Sequence, residues 1–120
     1  MTNAHDWIRV ATPIRGQRPD LIQIIILRVC AHFMVSRLDV ISPRCAAHVV
    51  RARHVAMYLS KELTSKTMAG IGLRFDHRDH TTVLHAVRKI SAQIQTDPVL
   101  AAEVEAIRRQ IEGGDHAPSE

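Results

Sequence analysis

The sequence predicts an all-α protein, a small bundle of about six helices that contains a helix-turn-helix. Three observations predict it. Apolar residues recur at helical spacing in one stretch after another, most clearly at Val83, Leu84, Val87, Ile90 and Ile94. Aromatic residues make up only 3% of the chain, so the core must be built from Ile, Leu, Val, Ala and Met, which favours packed helices over a sandwich or barrel. Finally, a short helical pattern, a turn and a second helical pattern with a polar outer face follow one another over residues 67–90, the order of a helix-turn-helix.

Each element has its own signal. Residues 1–19, with Pro13, Gly16 and Pro19, carry no sustained period and are expected to form a flexible leader. Asp20 is placed to cap a helix whose residues Leu21, Ile22, Ile25, Val29 and Phe33 fit the 3.6 repeat. Ile24, Ile26 and Leu27 widen that stripe until the helix is apolar nearly all round, as in a central core helix or one with a patch left for a partner. A short helix follows Ser36, through Leu38 to Ile41, and Ser42-Pro43 stops it. After a loop over residues 42–48, a long helix is expected from about Val49 to Leu63, with Val55, Tyr58, Leu59 and Leu63 inward and Arg51, Lys61 and Glu62 outward.

Thr67 suits the cap of a shorter helix holding Met68, Ile71 and Phe75. Residues 75–78 turn the chain, and Asp79 can cap the next helix by accepting from the backbone N–H of Thr81 or Thr82. Asp97-Pro98 pairs a cap with a first-position proline, and Leu100, Val104, Ile107 and Ile111 mark a last helix that Gly113-Gly114 should end. The expected organisation is therefore a leader over 1–19, a helix-turn-helix domain over 20–95, an additional helix over 96–112 and a disordered tail over 113–120.

Composition narrows the function. The longest apolar run, Leu21 to Leu27, is broken by Gln23 and followed by Arg28, too short for a membrane span, and the N-terminus lacks a cleavable export pattern. Cys30 and Cys45 do not make a disulfide framework, so a cytoplasmic thiol state is expected. The net charge of +4 hides a sharper distribution. Residues 37–89 hold ten Lys and Arg against four acids, whereas residues 90–120 hold two arginines against six acids. A basic middle beside an acidic end is the footprint of a domain that meets phosphate with one part only.

The basic part has a pattern. Arg78, Thr82, His85 and Lys89 lie one above another opposite the apolar stripe, at i, i+4, i+7 and i+11. Hydroxyls, imidazoles and cations at the exposed start of a helix suit base edges and phosphates. Metal and catalytic readings of the same side chains are weaker. His77 and His80 lie across a turn, Cys45 is remote from them, and no Cys-x-x-Cys accompanies them, so no metal is expected. Asp79, His80 and Thr82 lack an oxyanion-hole loop, so no enzyme is expected.

The letters themselves carry a resemblance. Asp79-His80-Thr81-Thr82-Val83-Leu84-His85-Ala86, flanked by Arg78 and by Val87-Arg88-Lys89-Ile90, closely resembles the signature of the C-terminal DNA-binding domain (domain IV) of the bacterial replication initiator DnaA. The resemblance continues back through Val55-Ala56-Met57-Tyr58-Leu59-Ser60-Lys61-Glu62-Leu63-Thr64 and Ile71-Gly72, and more loosely to Asp20, covering roughly residues 20–95. It implies a Trp-repressor-like helix-turn-helix that binds double-stranded DNA at DnaA-box-like sites, in or around replication initiation. It also implies roles: Asp79 and His80 reading base edges, Thr81 and Thr82 meeting a thymine methyl and the backbone, His85 at the DNA surface, and Arg78 and Lys61 holding phosphate. Each good base contact would supply about 1–3 kcal/mol of discrimination.

The departures are equally specific. The family's basic loop reads here Ser42-Pro43-Arg44-Cys45-Ala46-Ala47-His48, with Cys45 in place of an arginine that enters the minor groove. Arg44, Arg51 and Arg53 are the expected partial substitutes, and Lys89 extends the same basic face. Leu-Pro-Glu-Ile-Gly is replaced by Met68-Ala69-Gly70-Ile71-Gly72, and the Gly-Gly of the turn by Asp76-His77. Losing two or three such contacts should lower affinity by about one to three orders of magnitude and flatten the salt dependence. No Gly-x-x-x-x-Gly-Lys-Ser/Thr loop occurs and 120 residues leave no room for the initiator's ATPase domain, so a stand-alone relative of one domain, without nucleotide or other cofactor, is expected. The alternative is an interaction protein that regulates the initiator or its regulators through protein contacts, for which the eroded loop, the apolar helix from Leu21 and the acidic last helix speak.

Overall fold

The computed structural model describes residues 20–114; the expected leader and nearly all of the expected tail lie outside the described residues. Six α-helices follow in order: α1 Leu21–Phe33, α2 Arg37–Ile41, α3 Ala47–Leu63, α4 Met68–Arg74, α5 His80–Thr96 and α6 Pro98–Arg109. Among the described residues there is no strand, and no helix is long and apolar enough to cross a membrane.

The core is organised around α3. Its inward face, Val49, Ala52, Val55, Ala56, Met57 and Leu59, is fully shielded from solvent. α5 packs along one side of it with Val83, Ala86 and Ile90, and α1 along another with Ile22, Ile25, Ile26 and Val29. α4 lies on α5 and contributes Ile71, followed by Phe75, which closes the cluster beneath the turn. α6 adds Leu100, Val104 and Ile107 to the same cluster, so its apolar stripe is part of this core. Leu84, expected inward, is only half-buried, and Ala86 takes the more enclosed position.

Caps explain most boundaries. Ser36 accepts from the Asp39 N–H at 3.0 Å, Thr67 from Gly70 at 2.9 Å, and Asp97 from both Val99 and Leu100 at 3.1 Å, with Pro98 in the first turn. Two expectations need correction. α3 begins two residues earlier than the apolar pattern suggests, with Ala46 as its extended cap residue and Ala47, a strong helix former, as its first helical residue. Asp20 does not cap α1 with its side chain; the carboxylate pairs instead with the Arg74 guanidinium and ties the start of α1 to the end of α4. A full opposite charge outcompetes a backbone N–H for the same oxygens. After α6, residues Gln110–Gly114 widen into a π-helical turn that seats Ile111 in the core.

The turn between α4 and α5 is tight. A Cβ added at Gly72 would run into the carbonyl oxygen of Arg78, and the Gly72 carbonyl accepts from Arg78 N–H at 2.9 Å. Only glycine allows that approach. Beyond α4, Asp76 and His77 hold φ of 64° and 57°, left-handed values that cost a residue with a Cβ about 1–2 kcal/mol. Both are exposed, with no burial to offset the cost. Asp76→Gly should therefore raise the free energy of unfolding by about 1 kcal/mol, while Gly72→Ala should lower it by more than that, both read from urea transitions. An Asp76→Gly protein no more stable than its parent would show that the turn carries no such strain.

Candidate nucleic-acid interface

The interface is built on α5, the second helix of the helix-turn-helix. Its N-terminus is organised by Asp79, whose carboxylate accepts from the Thr81 N–H at 3.3 Å and from the Thr81 hydroxyl through the same oxygen. Those bonds, the hydroxyl's first, hold the Asp79 carboxyl below its ordinary pKa. The other oxygen lies 3.6 Å from Nδ1 of His80, leaving it acceptor capacity toward solvent. His80, Thr81, Thr82, His85 and Lys89 are all exposed along one face. A fixed carboxylate, an imidazole and two hydroxyls thus sit at the open end of a rigid helix, with cations further along.

The arginines expected beside this face are not all on it. Arg53, expected at the DNA surface, is instead a buried side chain with 5% of its area exposed, which corrects that expectation. Its Nε donates to the Val40 carbonyl at 2.6 Å, and one Nη donates to the carbonyls of Arg44, Ser42 and Asp39 at 2.8, 2.9 and 3.1 Å. Burial first, and then the charge of Arg78, pull the Arg53 guanidinium below its ordinary pKa. The reason lies in the helix period. Arg53 is four residues after Val49 and three and four before Ala56 and Met57, which places it on the buried stripe of α3.

Arg78 is half-buried and reaches the same loop, donating to the Ser42 carbonyl, while its Nε is enclosed without a hydrogen-bond partner. The loop between α2 and α3 is therefore gripped from two sides. Its outer side presents Arg44 and Cys45, both exposed. Arg44 is drawn back toward Asp39 at 3.2 Å, and the Cys45 thiol donates to the Pro43 carbonyl at 3.4 Å. Arg51 is exposed on the first half of α3, and Lys61 lies ten residues further along, about 15 Å away on the helix axis.

The structure thus brings Arg44, Arg51, Arg78, His85 and Lys89 around one end of the α3–α5 pair and leaves Lys61 at the other end of α3. It also adds a residue that sequence reasoning misses. His54 is half-buried between α3 and α5, its pKa lowered to about 4 by burial and then by Lys89, Arg53, His85 and Arg78. Its spacing is the available signal, since it stands three residues after Arg51 on a helix whose partner carries His85 and Lys89 at i, i+4.

Comparison with known proteins places these observations. Residues 22–90 match the family described as the bacterial dnaA protein helix-turn-helix. The chain is 48% identical over 107 residues to the chromosomal replication initiator protein DnaA of Rhodopseudomonas palustris strain TIE-1, which covers 89% of this chain and 22% of that protein. It is 54% identical over 101 residues to the DnaA of Bradyrhizobium sp. strain BTAi1, covering 82% of this chain and 21% of the relative. With the DnaA of Xanthobacter autotrophicus strain Py2 it shares 46% identity over 104 residues, 87% of this chain and 20% of the other. The chain spans about a fifth of the length of these relatives.

Two outcomes follow from the buried cations. Arg53→Lys keeps the charge but cannot fan donors to four carbonyls, so it should lower unfolding free energy by about 2–3 kcal/mol in urea melts. An Arg53→Lys protein as stable as the parent would return Arg53 to the surface. For His54 the folded imidazole stays neutral down to about pH 4. The unfolded chain takes up its proton from about pH 6.5 downward, so acid favours unfolding across that window. Melting temperature should fall between pH 6.5 and 4, and His54→Gln should fall less over the same range.

Proposed function

The chain belongs to the bacterial DnaA helix-turn-helix family, and we propose that it binds double-stranded DNA sequence-specifically at DnaA-box-like sites, acting in or regulating the initiation of chromosomal replication. The observation that carries this reading is the exposed start of α5. Asp79 is fixed by Thr81, His80 stands beside it, and Thr82, His85 and Lys89 continue the same face. A carboxylate oxygen can accept from a cytosine amino group, an imidazole can donate or accept, and a threonine methyl packs on a thymine methyl. Because the helix start is rigid, these groups meet the major groove with little ordering cost.

Backbone contacts fall to fewer residues than the charge count suggests. Arg53 is spent inside and Arg78 is engaged with Ser42, which leaves Arg44, Arg51, Lys61 and Lys89 as the exposed cations for phosphate. Cys45 at the loop offers no charge, and Asp76 adds a negative one at the turn. Specificity here rests on α5 more than on the loop, and the affinity is modest and salt-sensitive.

A second reading, contact with the replication initiator or its regulators, is favoured by one feature. Leu27 of α1 and Val99 of α6 are 53% and 68% exposed on helices whose other apolar residues are largely buried. Such isolated apolar side chains support a small contact, not an extensive one.

Fluorescence anisotropy separates these readings, with a duplex carrying the initiator box set against a scrambled duplex at two salt concentrations. The box should be preferred at low salt. His80→Ala should reduce that preference about tenfold while leaving scrambled binding unchanged. Lys61→Ala should weaken both duplexes alike and lower the salt slope by about one. Equal binding of both duplexes by the parent protein would overturn sequence-specific recognition.

A further inference from the structure

Beside the reading face lies a groove of about 310 Å³ between the first half of α3 and the second half of α5. Arg51 and His54 line it from α3, Lys89, Ile90 and Gln93 from α5, and Cys45 from the loop. At roughly 30 Å³ per water it has room for about ten, or for a phosphate group with part of its hydration shell. Its electrostatics are one-sided. The groups acting on His54 are Arg53 on its own helix, His85 and Lys89 on α5 and Arg78 at the head of α5; all lower its pKa, and none is a carboxylate. Arg53 and Arg78 donate to carbonyls, which accept hydrogen bonds without neutralising the charge of either side chain. Arg51 and Lys89 meet no acid at ion-pair distance among the described residues. A neutral imidazole is thus held at the wall of a groove lined by Arg51 and Lys89, with no carboxylate among the groups that act on it.

We propose that this groove takes a backbone phosphate of the bound duplex between Arg51 and Lys89, with His54 as its hydrogen-bond donor, and that His54 gains a proton as the phosphate enters. The inference rests on the DNA-binding reading and deepens it: His54 becomes a proton-linked contact and Gln93 a further neutral donor. The linkage is reciprocal. If a proton on His54 strengthens phosphate binding, then phosphate must raise the affinity of His54 for the proton by the same factor. Burial first, and the surrounding positive charge second, keep the ring neutral; the phosphate offsets the second of these, so the pKa moves back toward the usual histidine value. Protonation adds a second ring N–H donor and a charge at the same point. Nothing else need move, because the carbonyl-bound Arg53 and Arg78 keep the groove's shape.

The test is an NMR titration of the His54 imidazole, assigned by the loss of its resonance in His54→Gln. It is run on the full chain alone, with inorganic phosphate, and with the box duplex. Alone, the midpoint should lie near 4. With duplex it should rise above about 6. Calorimetry at pH 6 in two buffers of different ionisation heat should then show about 0.7 proton more taken up per complex by the parent than by His54→Gln, the other histidines contributing equally to both. Lys89→Ala supplies a second check that needs no ligand, since removing the foremost cation should raise the midpoint of the free protein.

Duplex binding by anisotropy with an unmoved His54 midpoint would overturn the proposal and leave DNA binding standing. An absence of duplex binding, with inorganic phosphate alone raising the midpoint, would overturn the duplex as occupant and assign the groove to a free anion. A midpoint moved by neither would overturn the phosphate site altogether.

Discussion

The interior guanidinium of Arg53 is the constraint on which the interface depends. It satisfies carbonyls of Val40 at the end of α2, of Ser42 and Arg44 in the loop, and of Asp39, all from one position on α3. A loop of this kind has backbone acceptors that neither helix can pair, and leaving them buried without donors would cost about 1–3 kcal/mol each. Taking a cation out of water costs several kcal/mol as well, and charge-assisted bonds offset that only when the geometry is good. Here a planar fork meets four acceptors. The loop's path is thereby set by a side chain in the core, and Arg78, donating to the same Ser42 carbonyl, extends that control to the head of α5. The loop and the head of α5 are thus joined through one backbone oxygen.

The turn between α4 and α5 works by the opposite means. No side chain bridges it; it is held by close approach of backbone to backbone at Gly72 and by the left-handed residues that follow. Glycine at 72 is obligatory on steric grounds, while Asp76 and His77 occupy conformations that glycine would adopt more cheaply. Strain of this size survives because Ile71, Phe75 and Val83 are all fully enclosed and fix both sides of the turn. The helix-turn-helix angle is therefore a property of the core, and the residues in the turn accommodate it.

Much of this is legible in the letters. The helix order, the caps at Thr67, Asp79 and Asp97 and the apolar stripes of α5 and α6 follow from local rules that need no partner in space. What is not legible depends on which partner wins. Asp20 has the chemistry of a cap, but a guanidinium 54 residues away claims its carboxylate. Arg53 sits in a basic cluster and reads as a surface charge until its place on the buried stripe is given weight over its type. Residue type argues for solvent, since arginine is rarely enclosed, and periodicity argues for the core. Periodicity decides here because unpaired carbonyls wait on that side. His54 escapes sequence reasoning for a related reason, as its environment is made by α5 and cannot be seen from α3 alone.

The same competition between partners explains why the cations remain crowded. Arg53, Arg78 and Lys89 crowd the α3–α5 junction, and after burial their positive charge adds to the lowering of the His54 pKa. A fold selected for stability alone would place a carboxylate among them. Acids do occur nearby in sequence, yet Asp39 turns to Arg44, and Asp79 turns to Thr81 and lies beside His80. The junction is left with positive potential directed at a groove open to solvent. Uncompensated charge of this kind costs stability in the free protein and is recovered only when a polyanion arrives, so the cost itself becomes selectivity for anionic partners. The few uncharged or fixed groups at the start of α5 are held in place by the same core.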